Sequence, residues 1–92
     1  MTDLEISREV RAILARHWID LGHLVLRTVS GRVYIRGRLA TIHGPASRLA
    51  PEQVAAIAGA IEAVPDVRGV HLTLENWKLE DARWRPVAAE RL

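Results

Sequence analysis

The sequence predicts an α+β fold in which two helices pack on one face of a three-stranded mixed sheet, with the element order α-β-β-α-β. Apolar residues recur every three or four positions in two segments, which is typical of amphipathic helices. They alternate with polar residues in three other segments, which is typical of strands with one buried face. Ser30-Gly31 separates the first two strand segments, and two residues that include glycine indicate a tight β-hairpin turn.

The first helix is predicted over roughly residues 4 to 19. Thr2-Asp3-Leu4-Glu5 has the S/T-x-x-E form of a capping box, which indicates a helix start. The apolar face of this helix consists of Ile6, Val10, Ile13, Leu14 and His17. Gly22 is expected to end the helix in the left-handed conformation that helix C-termini favour. Trp18 is interpreted as the last residue of the buried stripe.

The register of the hairpin follows from its turn. If Val29 pairs with Arg32 across Ser30-Gly31, then Leu24 pairs with Gly37, and directly opposed residues point to the same side of the sheet. The predicted core face carries Leu24, Leu26, Thr28, Val33, Ile35 and Gly37. The predicted outer face carries Val25, Arg27, Val29, Arg32, Tyr34, Arg36 and Arg38.

A second helix is predicted to begin at Pro51, because proline suits the first helical turn, and to stop at Pro65-Asp66. Its apolar stripe consists of Val54, Ile57, Ala58, Ile61 and Val64. Gly59 lies within this helix and costs about 1 kcal/mol relative to alanine unless close packing requires it. A third strand with alternating apolar residues follows over residues 70 to 75.

The chain divides into a predicted domain over residues 1–75 and a mixed-charge C-terminal segment over residues 76–92. This segment contains Trp77 and Trp84, its periodicity is poor, and Pro86 interrupts it. A short helix, a flap over the sheet and a frayed end are the three alternatives that the sequence leaves open for it.

Composition excludes several classes of function. The chain of 92 residues has no cysteine, so disulfides, thiolate zinc sites and cysteine nucleophiles are excluded. The four histidines do not have the spacing of metal ligands, and no catalytic motif is present, so we expect no enzyme activity, no metal and no cofactor. No export signal or long apolar run is found at the N-terminus, and a cytoplasmic location is therefore expected.

Positive charge is concentrated in one part of the sequence. From Leu21 to Pro51 there are five arginines and no acidic residue, whereas the whole chain has a net charge of only +2. The candidate anion-binding or lipid-binding residues on the outer face are Arg27, Arg32, Tyr34, Arg36 and Arg38. The alternative is a solvated face, or one that the acidic residues Glu75, Glu80 and Asp81 neutralise.

A second candidate site is a protein interface. Val25 and Val29 share the outer face with the arginines, which suggests that this face is partly covered by the C-terminal segment or by another subunit. Trp77 and Trp84 complete this candidate interface, because tryptophan is enriched at binding hot spots.

The sequence resembles the BON domain, a small bacterial module found in osmotic-stress and outer-membrane-associated proteins. The resemblance is carried by Gly31-x-Val33-x-Ile35-x-Gly37, by Ala55, Ala58 and Ile61, and by Val64-Pro65-Asp66-Val67-Arg68-Gly69-Val70. It covers about residues 5 to 75, and the family usually has Gly-Val where this chain has Asp66-Val67. The resemblance implies an α/β fold and attachment to phospholipid or membrane surfaces, with no catalytic residues.

Three hypotheses about function follow. The first is a BON-type binding module for anionic phospholipid surfaces or an acidic partner. The second is a protein-protein or oligomerisation module that uses the open sheet face and the Trp-bearing segment. The third, nucleic-acid binding, is the least favoured, because the element order invites comparison with KH domains but no glycine is followed by another three positions later, as their GxxG clamp requires.

Overall fold

The computed structural model describes residues 1–43 and 49–87, and it confirms the predicted α+β fold and its element order. Helix α1 (Asp3–Arg16) is followed by a single 3₁₀ turn (Leu21–His23) and by strands β1 (Leu24–Val29) and β2 (Arg32–Gly37). Helix α2 (Pro51–Glu62) and strand β3 (Gly69–Leu74) come next. Two further strands, β4 (Trp77–Glu80) and β5 (Arg83–Pro86), then form a separate two-stranded sheet.

Helix α1 begins as predicted and ends earlier than predicted. The Thr2 side chain accepts a hydrogen bond from the Glu5 N–H, and the Glu5 side chain accepts one from the Thr2 N–H, which completes the capping box. The helix ends at Arg16, and the residue with the left-handed conformation is Trp18, with φ of 62°. The prediction for Gly22 was therefore wrong, and that residue lies instead in the 3₁₀ turn.

The predicted hairpin register is confirmed at every pair from Leu24–Gly37 to Val29–Arg32. Ser30 and Gly31 both have positive φ, 50° and 81°, as a type I′ turn requires. The Asp3 carboxylate at the start of α1 accepts hydrogen bonds from both turn amides, at 2.9 and 3.0 Å. The first helical turn and the hairpin turn therefore hold each other in place.

The sheet has the order β1-β2-β3, with β1 antiparallel and β3 parallel to the central strand β2. Helix α2 makes the connection between the two parallel strands. Both helices pack on the same face of the sheet, and the core between the layers is almost wholly aliphatic. The buried apolar residues are Ile6, Val10, Ile13, Leu14, Ile19, Val33, Ile35, Leu39, Val54, Ile57, Ile61, Val64 and Trp77.

The C-terminal segment adopts a structure that none of the three alternatives anticipated, since its described part is a β-hairpin. Its turn is formed by Asp81 and Ala82, with φ of 50° and 62°. Trp77 is buried in the core, and Trp84 packs against the core from the second strand. The side-chain amide of Asn76 forms two hydrogen bonds with the backbone of Leu39. Its oxygen accepts from the Leu39 N–H at 3.0 Å, and its nitrogen donates to the Leu39 carbonyl at 2.8 Å. Residues 44–48 belong to the predicted loop and include Arg48. They lie outside the described residues, as do the last five residues of the chain.

Candidate functional site

The open face of the three-stranded sheet carries the residues that the sequence singled out. We call it the basic face and define it by the side chains that point away from the helices on the three strands, together with Arg38. On β1 and β2 the burial alternates strictly, and every residue predicted to face outward is exposed. The strand residues of the basic face are Val25, Arg27, Val29, Arg32, Tyr34, Arg36, His71 and Thr73.

A row of three side chains crosses the middle of the basic face. Arg27 on β1 is opposite Tyr34 on β2, and Tyr34 is in turn opposite His71 on β3. The rings of Tyr34 and His71 are stacked, with centroids 4.9 Å apart and planes within 11° of parallel. The row therefore presents one permanent cation beside a flat pair of rings.

The neighbouring rows add charge, a hydroxyl and apolar groups. Val25, Arg36 and Thr73 form one row, and Val29, Arg32 and Gly69 form the other. The middle row, the row of Val25, Arg36 and Thr73, and Val29 line a shallow open depression of about 450 Å³. On its β1 side, Arg27 lies between Val25, which is 48% exposed, and Val29, which is 45% exposed. Such a surface can contact an anionic group and an apolar chain at the same time.

The guanidinium groups of the basic face make no ion pair within the described part of the chain. None of the ion pairs found there includes Arg27, Arg32, Arg36 or Arg38. Glu80, which the sequence offered as a neutralising group, pairs instead with Lys78 at 3.2 Å and Arg85 at 3.6 Å within its own hairpin. The charge of the basic face is therefore not offset by an ion pair among the described residues.

The groups with shifted pKa values lie away from the basic face. The hydrogen bond from the N-terminal ammonium of Met1 to Asp66 lowers the pKa of that carboxyl and raises the pKa of the amine. Hydrogen bonds from Thr2 lower the pKa of the Glu5 carboxyl in the capping box. These shifts report on the start of α1 and on the loop before β3, where charges contribute to structure.

The residues of the predicted protein interface are not brought together. Val25 and Val29 lie on the basic face, whereas Trp77 is only 6% exposed and belongs to the core. Trp84 is half-buried on the β4–β5 hairpin, which contacts α2 and β3. Trp18, which was expected to be buried, is 58% exposed instead.

His71 and Thr73 lie outside the candidate site that the sequence predicts. Both are polar residues of the alternating third strand, but the alternation alone does not specify which strand lies beside β2. The parallel pairing of β3 with β2 brings them onto the basic face. Among residues 1–43 and 49–87, no group of three or more His, Cys, Asp or Glu side chains could hold a metal ion. In the same ranges, no helix has the length and apolar character needed to cross a bilayer.

In comparisons with known proteins, no family model matches the chain, and no curated protein matches it. The resemblance to the BON domain therefore stays a prediction that rests on the residues that carry it.

Proposed function

We propose that this chain is a non-enzymatic binding module that attaches to anionic phospholipid surfaces through its basic face. The observation that carries the proposal is a set of four arginines that make no ion pair within residues 1–43 and 49–87, beside a stacked Tyr34–His71 pair on a sheet face that the helices leave open. Each basic side chain near an anionic membrane contributes about 1 kcal/mol to binding. Tyrosine is suited to such a surface, because its ring is apolar and its hydroxyl is polar.

Two local features support the resemblance on which the lipid hypothesis partly rests. Gly31 and Gly37, the two ends of the glycine-containing motif, both have positive φ, so this backbone needs the glycines of that pattern. Asp66, which stands where the family usually has glycine, also has positive φ, at 70°. Aspartate is one of the few other residues that tolerate this conformation, so the departure from the pattern is compatible with the same backbone.

The proposal is tested by amide NMR spectra of labelled protein during titration with short-chain phosphatidylglycerol, and with phosphatidylcholine as the neutral comparison. We expect shifts or broadening at Arg27, Tyr34 and Arg36 with the anionic lipid, and these should fade as salt is raised. Replacing Arg27 and Arg36 together by glutamine should weaken binding by about tenfold or more, at ~1 kcal/mol for each charge. Arg11→Gln is the matched control, because Arg11 is exposed on α1, on the helical side of the sheet.

Equal responses to both lipids, or equal binding by the double variant and the control, would contradict the proposal. A parallel titration with a single-stranded oligonucleotide at low salt tests nucleic-acid binding, the least favoured of the three hypotheses. If Tyr34 and His71 shift with the oligonucleotide and no residue shifts with lipid, the ligand of the basic face is nucleic acid and not lipid, since bases stack on flat aromatic surfaces.

Self-association is the second candidate function, and the exposed valines of β1 favour it. Strand β1 is an edge strand, and Val25 and Val29 lie about half exposed along it. An edge strand with apolar side chains is a template for pairing with another strand. Sedimentation of the wild type and of Val25→Lys over a range of protein concentration tests this candidate, which a strictly monomeric wild type would rule out.

A further inference from the structure

The C-terminus of α1 has an unusual residue in a common motif. The Ile19 N–H donates to the Leu14 carbonyl at 3.0 Å, and the Trp18 N–H donates to the Ala15 carbonyl at 3.0 Å. These two hydrogen bonds define a Schellman motif, in which the residue after the C-cap adopts the left-handed conformation and is usually glycine. Here that residue is Trp18, with φ of 62°. A bulky side chain at such a φ is strained.

Packing against the residues that the structure describes does not account for the choice of tryptophan. The side chain is 58% exposed, and its aromatic neighbour is the exposed His43, with ring centroids 5.4 Å apart. The buried residue of the motif is the next one, Ile19, which belongs to the core with Leu14. Glycine at position 18 would preserve the motif and the core without strain. A strained residue that contributes little to the fold is a candidate for a function outside it.

A second exposed apolar side chain lies beside Trp18. Ile19 and Thr41 form an isolated antiparallel bridge, which sets Ile42 opposite Trp18, and the Ile42 N–H donates to the Trp18 carbonyl at 2.9 Å. Ile42 is 54% exposed. We call Trp18 and Ile42 the apolar tip. Because backbone hydrogen bonds hold both residues, the tip is presented without the entropy cost of ordering a loose loop.

Two exposed arginines lie close to the tip along the chain. Arg16 lies two residues before Trp18, and Arg38 lies four residues before Ile42, and both are exposed. The nearest acidic residue along the chain, Asp20, accepts a hydrogen bond from the Gly22 N–H and lies 3.4 Å from His23. An exposed tryptophan with arginines close to it along the chain has the chemistry of a membrane-interface anchor, because indole favours the headgroup level and guanidinium favours lipid phosphate.

We propose that the apolar tip inserts into the interfacial layer of an anionic bilayer and anchors the domain there. This inference rests on the proposed function, which it extends by adding a membrane-penetrating contact to the surface contact of the basic face. A lipid surface fits the tip better than a protein does, because stable protein interfaces bury about 800 Å² on each partner. Two side chains on one short bridge offer far less than that, whereas interfacial anchoring by aromatic and basic residues needs only a few side chains.

The test compares the wild type with Trp18→Gly on vesicles of phosphatidylcholine with and without phosphatidylglycerol. This variant should fold at least as well as the wild type, because glycine suits the left-handed position, and its Tm should equal or exceed that of the wild type. On anionic vesicles it should bind about tenfold or more weakly, since a tryptophan ring carries a large apolar area. Lipids brominated on their acyl chains should quench wild-type tryptophan emission, and should not quench that of the variant, which retains Trp77 and Trp84.

Leu4→Ala is the matched control. Leu4 is 61% exposed, similar to Trp18, but it lies at the opposite end of α1, which has 14 residues. At 1.5 Å per residue, that places it about 20 Å away along the helix. Binding and quenching of this variant should match the wild type.

The outcomes separate the tip from the basic face. If Trp18→Gly binds and is quenched like the wild type while the Arg27 and Arg36 double variant loses binding, the tip inference is wrong and the proposed function stands. If Trp18→Gly alone loses binding, the tip is the anchor and the basic face is not the lipid site. If the wild type binds neither kind of vesicle, both are overturned.

Discussion

At the scale of single residues, the glycine-containing motif around β2 has a direct physical explanation. A Cβ built on Gly31 would lie 2.7 Å from the Asp66 carbonyl oxygen, and one built on Gly37 would lie 2.2 Å from the His23 carbonyl oxygen. Between them, Val33 and Ile35 point into the core and are almost completely buried. The motif therefore specifies a tight turn, two core positions and a close backbone approach within seven residues.

Replacement of Gly37 by alanine should destabilise the domain by about 2 kcal/mol or more, because φ of 125° and the 2.2 Å approach both exclude a side chain. Gly59→Ala should have the opposite sign, stabilising by up to about 1 kcal/mol, since this helical position has nothing within 4 Å of an added Cβ. Urea unfolding of the wild type and of both variants gives the change in the free energy of unfolding for each substitution. Equal effects of the two substitutions would show that backbone conformation at Gly37 is unimportant.

The residues of the basic face were predictable because strand alternation and a two-residue turn together fix a register. Once Val29 is paired with Arg32, every other partner on β1 and β2 follows, and the structure has the same pairs. The aromatic partner of Tyr34 was not predictable in this way. His71 is 37 positions further along the chain, and only tertiary packing of α2 and β3 brings it beside Tyr34.

At the scale of elements, the sequence failed where a residue with a side chain occupies a position that usually takes glycine. Trp18 at the end of α1 and Ala82 in the last hairpin both have positive φ, and neither is a standard signal for it. Asp81 tolerates this conformation, but without a glycine after it the residue does not indicate a hairpin turn. The helix was therefore predicted too long, and the hairpin was not predicted. In contrast, the capping box and Ser30-Gly31 use the expected residues, and the elements that depend on them were predicted correctly.

The connection between the loop after β2 and the start of β4 depends on the Asn76 amide. Asn76→Ala should destabilise the domain by about 1–3 kcal/mol, because it leaves the half-buried N–H and carbonyl of Leu39 without their side-chain partners. Asn76→Asp should also be destabilising, since a carboxylate can accept from the Leu39 N–H but cannot donate to its carbonyl. Thermal unfolding of the two variants checks this. A fully stable Asp variant would mean that the second hydrogen bond contributes nothing.

At the scale of the whole molecule, the buried core and the arginines lie on opposite faces of one small sheet. The helices cover one face with an aliphatic core, and the other face retains four arginines without acidic partners in the described part of the chain. The β4–β5 hairpin supplies a large aromatic residue to a core that contains no phenylalanine. In a domain of this size, each large buried side chain is a substantial share of the stability.

The role of the hairpin can be measured by removing it at the predicted boundary. A chain of residues 1–75 should be largely unfolded, because it loses Trp77 from the core, and removal of a buried tryptophan side chain costs about 3–5 kcal/mol. In the full chain, Trp77→Ala should destabilise by a similar amount, whereas Leu79→Ala should change stability by less than about 0.5 kcal/mol, since Leu79 is 57% exposed on the same strand.

Circular dichroism melting curves and the dispersion of amide NMR signals report the folded fraction. If residues 1–75 give a dispersed spectrum and melt at the temperature of the full chain, the hairpin is an appendage and the core is complete without Trp77. If they do not, the hairpin is a structural part of the domain, and the loss of lipid binding by any chain truncated there would reflect unfolding.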